Sequence, residues 1–489
     1  MAEISNCFTK LAPSGGYRIQ MGFPPMNRFS KLTSPDAVYL RCLLAVISGA
    51  LYSQAFPTLG WRWLVVPGLA GLLLALHGLS GTRARAVGFF HGMAVYGCGL
   101  VWLFQIFGWL VVVLWCVLAS FTAMFAHMQG RAFVRGWTGW KWAAFTAVNW
   151  CGWEFIRAEL FPLKFPWMTA GLAVGPNAWL PWIGVYGAGA LVMFGIAVLF
   201  LGRWKLLWVP LALGAMGFLL LPRIAVPSLS DPLAVRVTGL QFENVSFDTF
   251  IARTRELQET ADHVVWPEYA VPHLRSNARE MAEVQALCAE RGMTLTLGTT
   301  HWDTDDIWRN IALTMDADGE KGEHTKNHTV HLFADGLAGK TAVPVATKHG
   351  KVGTPICFDF DYEGVARKMT RAGAEYFVVP TMDAMSWTAR QHDQHAELAR
   401  IRACENGRWA FVTATSGVSQ LIDPAGRVHK RLAAMEQGSL SGVLKRGTKL
   451  TFYTRYGWLF PWCALGLAAV CWLALVFPVK RTTAPAAES

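Results

Sequence analysis

The chain has 489 residues, 53% of them hydrophobic and only 16% charged, with 23 tryptophans and a formal net charge of +11. That is too apolar for an ordinary soluble enzyme and indicates a membrane protein. Much of the positive charge falls in short loops and tails between apolar segments, so it is not the footprint of nucleic-acid binding, and no nucleic-acid partner is expected.

In chain order, a tail at 1–37 precedes seven apolar segments at roughly 38–56, 62–80, 86–106, 109–128, 140–158, 182–202 and 204–222. Each approaches the ~20 residues that cross a bilayer. An eighth follows at 457–478, before a short tail at 479–489. Bundled membrane helices tolerate the Gly and Pro interruptions, because neighbours satisfy the freed backbone groups. Basic residues set the orientation. With the N-terminus in the cytoplasm, that side collects Lys10, Arg18, Arg28, Lys31, Arg83, Arg85, Arg131, Arg135, Lys141, Arg203, Lys205, Lys480 and Arg481, and the opposite short loops hold Arg62, Arg157 and Lys164. Seven crossings then carry 223–456 to the extracytoplasmic side, and the eighth returns the chain. No small-residue cleavage pattern follows the first apolar segment, which therefore reads as an uncleaved anchor.

From residue 233 the pattern changes to short β-rich runs alternating with charged helical segments. Strands are expected at 234–242, 263–266, 293–299, 310–316, 352–357, 376–379, 409–415 and 418–422, and helices at 247–260, 277–291, 362–372 and 388–406. This alternation predicts one α/β domain of layered sheets and helices. The expected organisation is a cytoplasmic tail at 1–37, a seven-helix membrane domain at 38–222, an α/β domain at 223–456, a membrane helix at 457–478 and a tail at 479–489.

Three stretches of the α/β block carry candidate chemistry. Val264-Val-Trp-Pro-Glu268 is an apolar strand that stops at a proline and delivers a carboxylate to the strand's C-terminal edge, where α/β folds place their sites. The alternative is a surface glutamate after a strand. Val352-Gly-Thr-Pro-Ile-Cys357 ends in a thiol followed by Asp359 and Asp361, and reads either as a nucleophile or as a buried inert cysteine. In His324-Thr-Lys-Asn-His328-Thr-Val-His331, Lys326 is a cation suited to a developing oxyanion. The histidine spacing would suit a metal-binding helix face, but no carboxylate stands in the metalloprotease arrangement, so no metal or other cofactor is expected. His392 and His395 read as exposed helix residues. Cys288, Cys357 and Cys404 are odd in number and unpaired in spacing, so neither a disulfide framework nor a cysteine zinc site is expected.

Taken together, these residues resemble the apolipoprotein N-acyltransferases, bacterial membrane enzymes of the nitrilase superfamily. The likeness runs through Trp-Pro-Glu268, Lys326-Asn-His328, Pro-Ile-Cys357, 394–402, 405–408, Ser416-Gly-Val418 and 422–426. It extends to the membrane part at Trp153-Glu154 with Arg157, at Phe165-Pro-Trp167 and at Tyr453-Thr-Arg-Tyr-Gly457. It implies a polytopic helical bundle of about eight membrane helices carrying an extracytoplasmic αββα nitrilase-like domain, in the bacterial inner membrane. It also implies a Glu268, Lys326 and Cys357 triad with a two-step reaction: a phospholipid acylates Cys357, and the thioester passes to the α-amine of a diacylated lipoprotein. The backbone N–H of Phe358 would join Lys326 at the oxyanion, and Trp167, Trp179 and Trp182 would frame a lateral opening for lipid tails, or form an aromatic belt without a substrate role.

The chain departs from the family around this triad. After Lys-Asn-His the family has a Pro and a Gly-Glu pair; here the run is Thr329-Val-His-Leu-Phe-Ala-Asp335, with Asp335 one position out of register as the supporting carboxylate. Asp359 stands where the family has Glu, and Met382-Asp-Ala-Met385 replaces Asn-Asp-Ala-Trp. These changes leave two other readings: a membrane-tethered amidase or acyltransferase for another amine, and a noncatalytic lipoprotein-binding scaffold, against which the intact triad counts.

Overall fold

The structure, a computed structural model, describes residues 38–477 apart from 58, 203–205, 207, 305 and 306. The expected tails at 1–37 and 479–489, and the basic residues Arg203 and Lys205, lie outside the described residues. A helix occupies each of the eight expected apolar segments: Val38–Ser53, Val65–Leu76, Gly81–Gly99, Val111–Val134, Gly139–Phe155, Leu180–Leu199, Trp208–Leu219 and Phe460–Val476. Three stretches, Leu103–Val134, Leu180–Leu199 and Gly457–Val476, are long and apolar enough to cross a membrane. Small residues let the helices approach closely. A Cβ on Gly92 would lie 2.7 Å from the Cα of Ala119, which is why the Gly81–Gly99 helix can press directly on Val111–Val134.

Between the bundle and its last helix the described residues form twelve strands: β1 (Ala234–Gln241), β2 (His263–Val265), β3 (Thr294–Thr304), β4 (Ile307–Asp316), β5 (Gly319–Thr325), β6 (Val345–Thr347), β7 (Gly350–Gly353), β8 (Tyr376–Thr381), β9 (Ala410–Ala414), β10 (Ser419–Ile422), β11 (Val428–Leu432) and β12 (Gly438–Lys445). They form two six-stranded sheets, in the orders β12-β1-β2-β3-β4-β5 and β11-β10-β9-β8-β7-β6. Pairing is parallel for β1/β2, β2/β3, β7/β8 and β8/β9, and antiparallel elsewhere.

Val235, Val237 and Val265 of one sheet and Val352, Val378 and Phe411 of the other share one apolar cluster, so the sheets pack face to face. On the outer face of the first sheet, Phe250, Ile251, Val284 and Leu287 come from helices Phe247–Arg255 and Ala278–Arg291. On the outer face of the second, Val365, Ala366, Met369 and Ala403 come from Glu363–Arg371 and Ala389–Asn406. The result is an αββα sandwich, the layering the resemblance implied.

The strands absent from the sequence reading are β5, β6, β11 and β12, the four edges of the two sheets. Edge strands are kept short and charged against aberrant pairing, so they lack the apolar alternation that marks their central neighbours. Gly319–Thr325, Gly-Glu-Lys-Gly-Glu-His-Thr, is such a case. His324, Lys326 and His328 consequently stand on β5 and the loop after it, which corrects the helix-face reading of the histidines.

Candidate active site

Glu268 follows β2 by three residues, after buried Trp266 and Pro267. Gly298 on β3 makes room for this bend: a Cβ there would lie 2.4 Å from the Glu268 Cα and 2.6 Å from the Tyr269 nitrogen. The carboxylate is 1% exposed and fully engaged. Oε1 accepts from Lys326 Nζ at 2.8 Å and Asn310 Nδ2 at 2.6 Å, and Oε2 accepts from the Met382 N–H at 2.8 Å.

Lys326, one residue past β5, has its Nζ 2.8 Å from Glu268 Oε1 and 2.8 Å from Asp335 Oδ2. Asp335 in turn accepts from the Tyr269 hydroxyl at 2.5 Å, Asn310 Nδ2 at 2.9 Å and the Val330 N–H at 2.8 Å. The shifted register of Asp335 therefore still brings a second carboxylate onto the lysine. The 326–335 loop closes on itself through that same side chain.

The expected strand at 352–357 stops early. β7 ends at Gly353, and Cys357 opens a 3₁₀ turn, Cys357–Phe360, with φ +47°. A non-glycine residue in this region is strained, and such strain gathers where a side chain must be presented. Sγ points at the Met382 carbonyl, 3.7 Å away. The Met382 peptide thus touches both the thiol and the carboxylate.

Asp359 sits two residues on, fully buried and turned away from the thiol. Its Oδ1 accepts from the N–H groups of Asn327 (2.9 Å) and His328 (2.7 Å), and its Oδ2 lies 2.8 Å from His324 Nε2. Asp359 is therefore a clamp between the Cys357 turn and the lysine loop, its oxygens taken up there and not at the thiol. Phe358, beside the thiol, lines the same cavity.

The electrostatics follow from this geometry. Burial and the Glu268 charge raise the Cys357 pKa well above its ordinary value, against an opposing pull from Lys326. The resting group is the thiol. Burial raises Glu268, while Lys326 pulls it back down. Burial alone would depress Lys326, but Glu268, Cys357 and Asp335 carry it well above the usual lysine value, so it stays charged. For Asp359 burial works upward, yet the hydrogen bonds from His324 and His328 hold it well below the usual carboxylate range.

The three groups stand together at one side of a cavity of about 400 Å³. Much of the remaining lining is apolar and comes from the membrane bundle: Leu103, Ile106, Phe107, Leu110, Val111, Leu114 and Val117. Trp167 lines it too, its Nε1 donating to Asp361 Oδ2 at 2.7 Å. Trp179 and Trp182 are not part of it. They line a separate groove with Met216, Leu220 and Pro222.

Sequence reasoning missed His395. Far from exposed, it is buried in the cavity wall, with Nδ1 2.9 Å from Asp383 Oδ1 and Nε2 3.2 Å from Asp361 Oδ1, its ring stacked on Trp167 at 5.8 Å. Burial works against its charge, but the two carboxylates raise its pKa well above the usual value. His392 is buried as well. Spacing four apart with Gln391, on the face of Ala389–Asn406 that meets the sheet, was the available signal.

Two family models match the chain: the apolipoprotein N-acyltransferase N-terminal domain over residues 48–199 and carbon-nitrogen hydrolase over residues 247–448. An apolipoprotein N-acyltransferase of Geobacter metallireducens is 27% identical over 502 residues, covering 88% of this chain and 95% of its own. One from Methylococcus capsulatus is 26% identical, covering 87% of this chain and 94% of its own. Among solved structures, a carbon-nitrogen hydrolase from Helicobacter pylori aligns at 18% identity over 47% of this chain and 94% of its own, with a TM-score of 0.39.

Proposed function

We propose that this chain is a member of the apolipoprotein N-acyltransferase family of the nitrilase superfamily and moves a fatty acyl chain from a phospholipid, through a thioester on Cys357, to the N-terminal amine of a diacylglyceryl-cysteine lipoprotein. One observation carries this reading. A thiol, a carboxylate and an ammonium meet in a cavity that is also lined by apolar residues of a membrane-length helix, so a bilayer lipid can keep its tails in hydrocarbon while its ester reaches the thiol.

In the first half-reaction Glu268 takes the Cys357 proton as sulfur attacks the ester carbonyl. Lys326 Nζ and the Phe358 N–H hold the oxyanion. On collapse the C–O bond breaks, the protonated Glu268 returns its proton to the departing lysophospholipid oxygen, and a thioester remains. In the second half the neutral α-amine attacks that thioester, Glu268 accepts the amine proton, and the leaving sulfur regains it, giving an amide and free Cys357. Asp335, itself hydrogen-bonded three further times, keeps Lys326 aimed while Glu268 changes charge. Exclusion of water from the apolar cavity favours amine over water as the acceptor.

The accompanying topology is eight crossings, with 38–222 as the membrane domain, 223–456 as the catalytic domain outside the cytoplasm and 457–478 as the returning helix, in a bacterial inner membrane. The asymmetry of basic residues between alternate loops supports this orientation. Intact-mass measurement after incubation with phospholipid tests the chemistry: an acyl adduct forms and is absent in Cys357→Ala. Adding a diacylated lipopeptide then discharges the adduct into a triacylated product. Discharge only by water or by unrelated amines would return the assignment to an amidase or another acyltransferase.

A further inference from the structure

The two substrates of the proposed reaction pose a selectivity problem. A phospholipid donor and a diacylglyceryl-cysteine acceptor both carry fatty esters of glycerol, and a thiol that attacks esters indiscriminately would strip the acceptor. What separates them chemically is the phosphodiester, present only in the donor.

Four basic side chains line the cavity: Lys164, Lys326, His331 and His395. Two are already neutralised. Lys326 lies between Glu268 and Asp335, and His395 between Asp361 and Asp383. Lys164 and His331 have no carboxylate within ion-pair distance among the described residues. The Lys164 ammonium instead lies 5.0 Å from the centre of the Tyr362 ring, and the Tyr362 hydroxyl donates to the Lys164 carbonyl at 3.0 Å, so the lysine's backbone is held against the catalytic domain. Nε2 of His331 is buried without a partner. Lys164 comes from the membrane-side segment that also supplies Trp167, and His331 from the loop that supplies Asp335. The two lie close enough for the Lys164 charge, after burial, to help depress the His331 pKa.

Their depth is also informative. Glu268, Lys326 and Cys357 are 1%, 2% and 7% exposed, Lys164 and His331 are half-buried, and their chain neighbours Leu163 and Leu332, which line the same cavity, are 44% and 76% exposed. Burial therefore falls off from the thiol through the cation pair to an apolar rim. In a glycerophospholipid the phosphorus is separated from the ester carbonyl by only a few covalent bonds, so a lipid with its ester at Cys357 has its phosphate at this depth. A lysine is a common phosphate ligand, acting as a point charge, and a neutral imidazole N–H adds a directional donor. Low-dielectric walls strengthen both.

Building on the donor reading above, we propose that Lys164 and His331 form a phosphodiester subsite that selects the acyl donor and leaves the acceptor's own esters unattacked. The subsite acts in the first half-reaction alone, because the acceptor brings no phosphate.

Single-turnover acylation of the full-length protein in mixed micelles tests this, with a phosphatidylglycerol and a diacylglycerol of identical chains as alternative donors. The wild type is expected to acylate faster from the phospholipid, and Lys164→Gln to lose about 10- to 100-fold of that preference, through the dependence on donor concentration. Lys164→Arg should retain most of it, Lys164→Glu should lose more, and His331→Phe should fall between wild type and Lys164→Gln. Acylation from diacylglycerol, discharge of a preformed thioester by lipopeptide and the thermal midpoint should stay at wild-type values, which also shows that the variants are folded. Equal losses with both donors, or wild-type phospholipid acylation in Lys164→Glu, would overturn the subsite. Lys164-dependent binding of inorganic phosphate without any effect on phospholipid acylation would assign the pair to free phosphate and overturn it equally. A wild type that forms no adduct from any phospholipid would instead reject the donor reading on which the subsite rests.

Discussion

Asp335→Asn isolates the contribution of the second carboxylate to the lysine. The substitution keeps the shape of the side chain and exchanges one acceptor oxygen for an NH₂ group. Oδ1 accepts from Tyr269 and Asn310, and Oδ2 from Val330 and Lys326. With the new NH₂ at the Oδ1 position it faces the Asn310 amide, while the Tyr269 hydroxyl can turn to accept; at the Oδ2 position it faces the Val330 N–H and the Lys326 ammonium, whose Nζ is then left with Glu268 alone. In both orientations at least one hydrogen bond is lost and the charge facing Lys326 is removed. A charged hydrogen bond contributes about 1.5–3 kcal/mol and a neutral one about 1, so the expected cost in stability is about 3 kcal/mol. Catalysis suffers by a different route. Loss of an oxyanion donor costs about 10²–10³ in rate, and a lysine held on one side only should lose a large part of that, about 30- to 100-fold in acylation. Single-turnover formation of the acyl adduct, followed by intact mass beside a thermal unfolding curve, reads both quantities. Asp335→Asn with unchanged acylation and unchanged thermal midpoint would refute the role assigned to this carboxylate.

Gly298→Ala should lower the thermal midpoint and slow acylation from every donor alike, because the new methyl group meets only backbone, the Glu268 Cα and the Tyr269 nitrogen, and the catalytic strand end must move. Acylation at low pH should fall as Glu268 takes up a proton, with the acid limb of kcat/KM lying above the ordinary glutamate value of 4.5, since burial raises this group; a limb at or below 4.5 contradicts the assignment of Glu268 as base. Asp359 has a folded pKa below its unfolded value near 3.8, so its stabilisation is complete above that value and is lost as pH falls through the folded one. Thermal midpoints measured between pH 6 and pH 2 should therefore decline on the acid side, and Asp359→Asn should flatten the decline while lowering stability at pH 6.

The sequence announces the interior of this fold and conceals its borders. Central strands such as Tyr376–Thr381 and Ala410–Ala414 are buried on both faces and read as continuous apolar runs, so they are recognised from residue types alone. The edge strands Gly319–Thr325 and Val428–Leu432 are written in polar residues, because their job is to end a sheet. Glu268 and Cys357 were legible because each follows an apolar strand, whereas Lys326 follows a polar edge strand and stood out only through the Lys326-Asn-His328 run. The triad's supports were less legible. Asp335 reaches Lys326 through a loop whose closure has no periodicity, and His395 is a polar residue buried by partners that lie 34 and 12 positions away in the chain. Trp179 and Trp182 line a groove apart from the thiol cavity, because aromatic content marks depth in a membrane and not which groove a ring faces.

The α/β domain and the helical bundle are joined through buried polar groups on the Ala389–Asn406 helix. Gln394 donates to the carbonyls of Pro57 at 2.8 Å and Gly99 at 3.0 Å and accepts from Trp102 Nε1 at 3.0 Å. One helical step away, His395 holds Asp383, next to the Met382 peptide that touches both Cys357 and Glu268. At the other end of the same helix, Glu405 accepts the Val185 N–H at 2.7 Å, where Gly184 leaves helical geometry with φ +67°. Each of these groups would cost about 1–3 kcal/mol if it were left buried without its partner, so sliding the sandwich over the bundle breaks several at once. The Ala389–Asn406 helix thereby fixes the distance between the hydrocarbon-lined wall and the thiol. For a reaction in which an acyl chain lies in one component and the nucleophile in the other, that fixed distance is what turns two adjacent domains into one site.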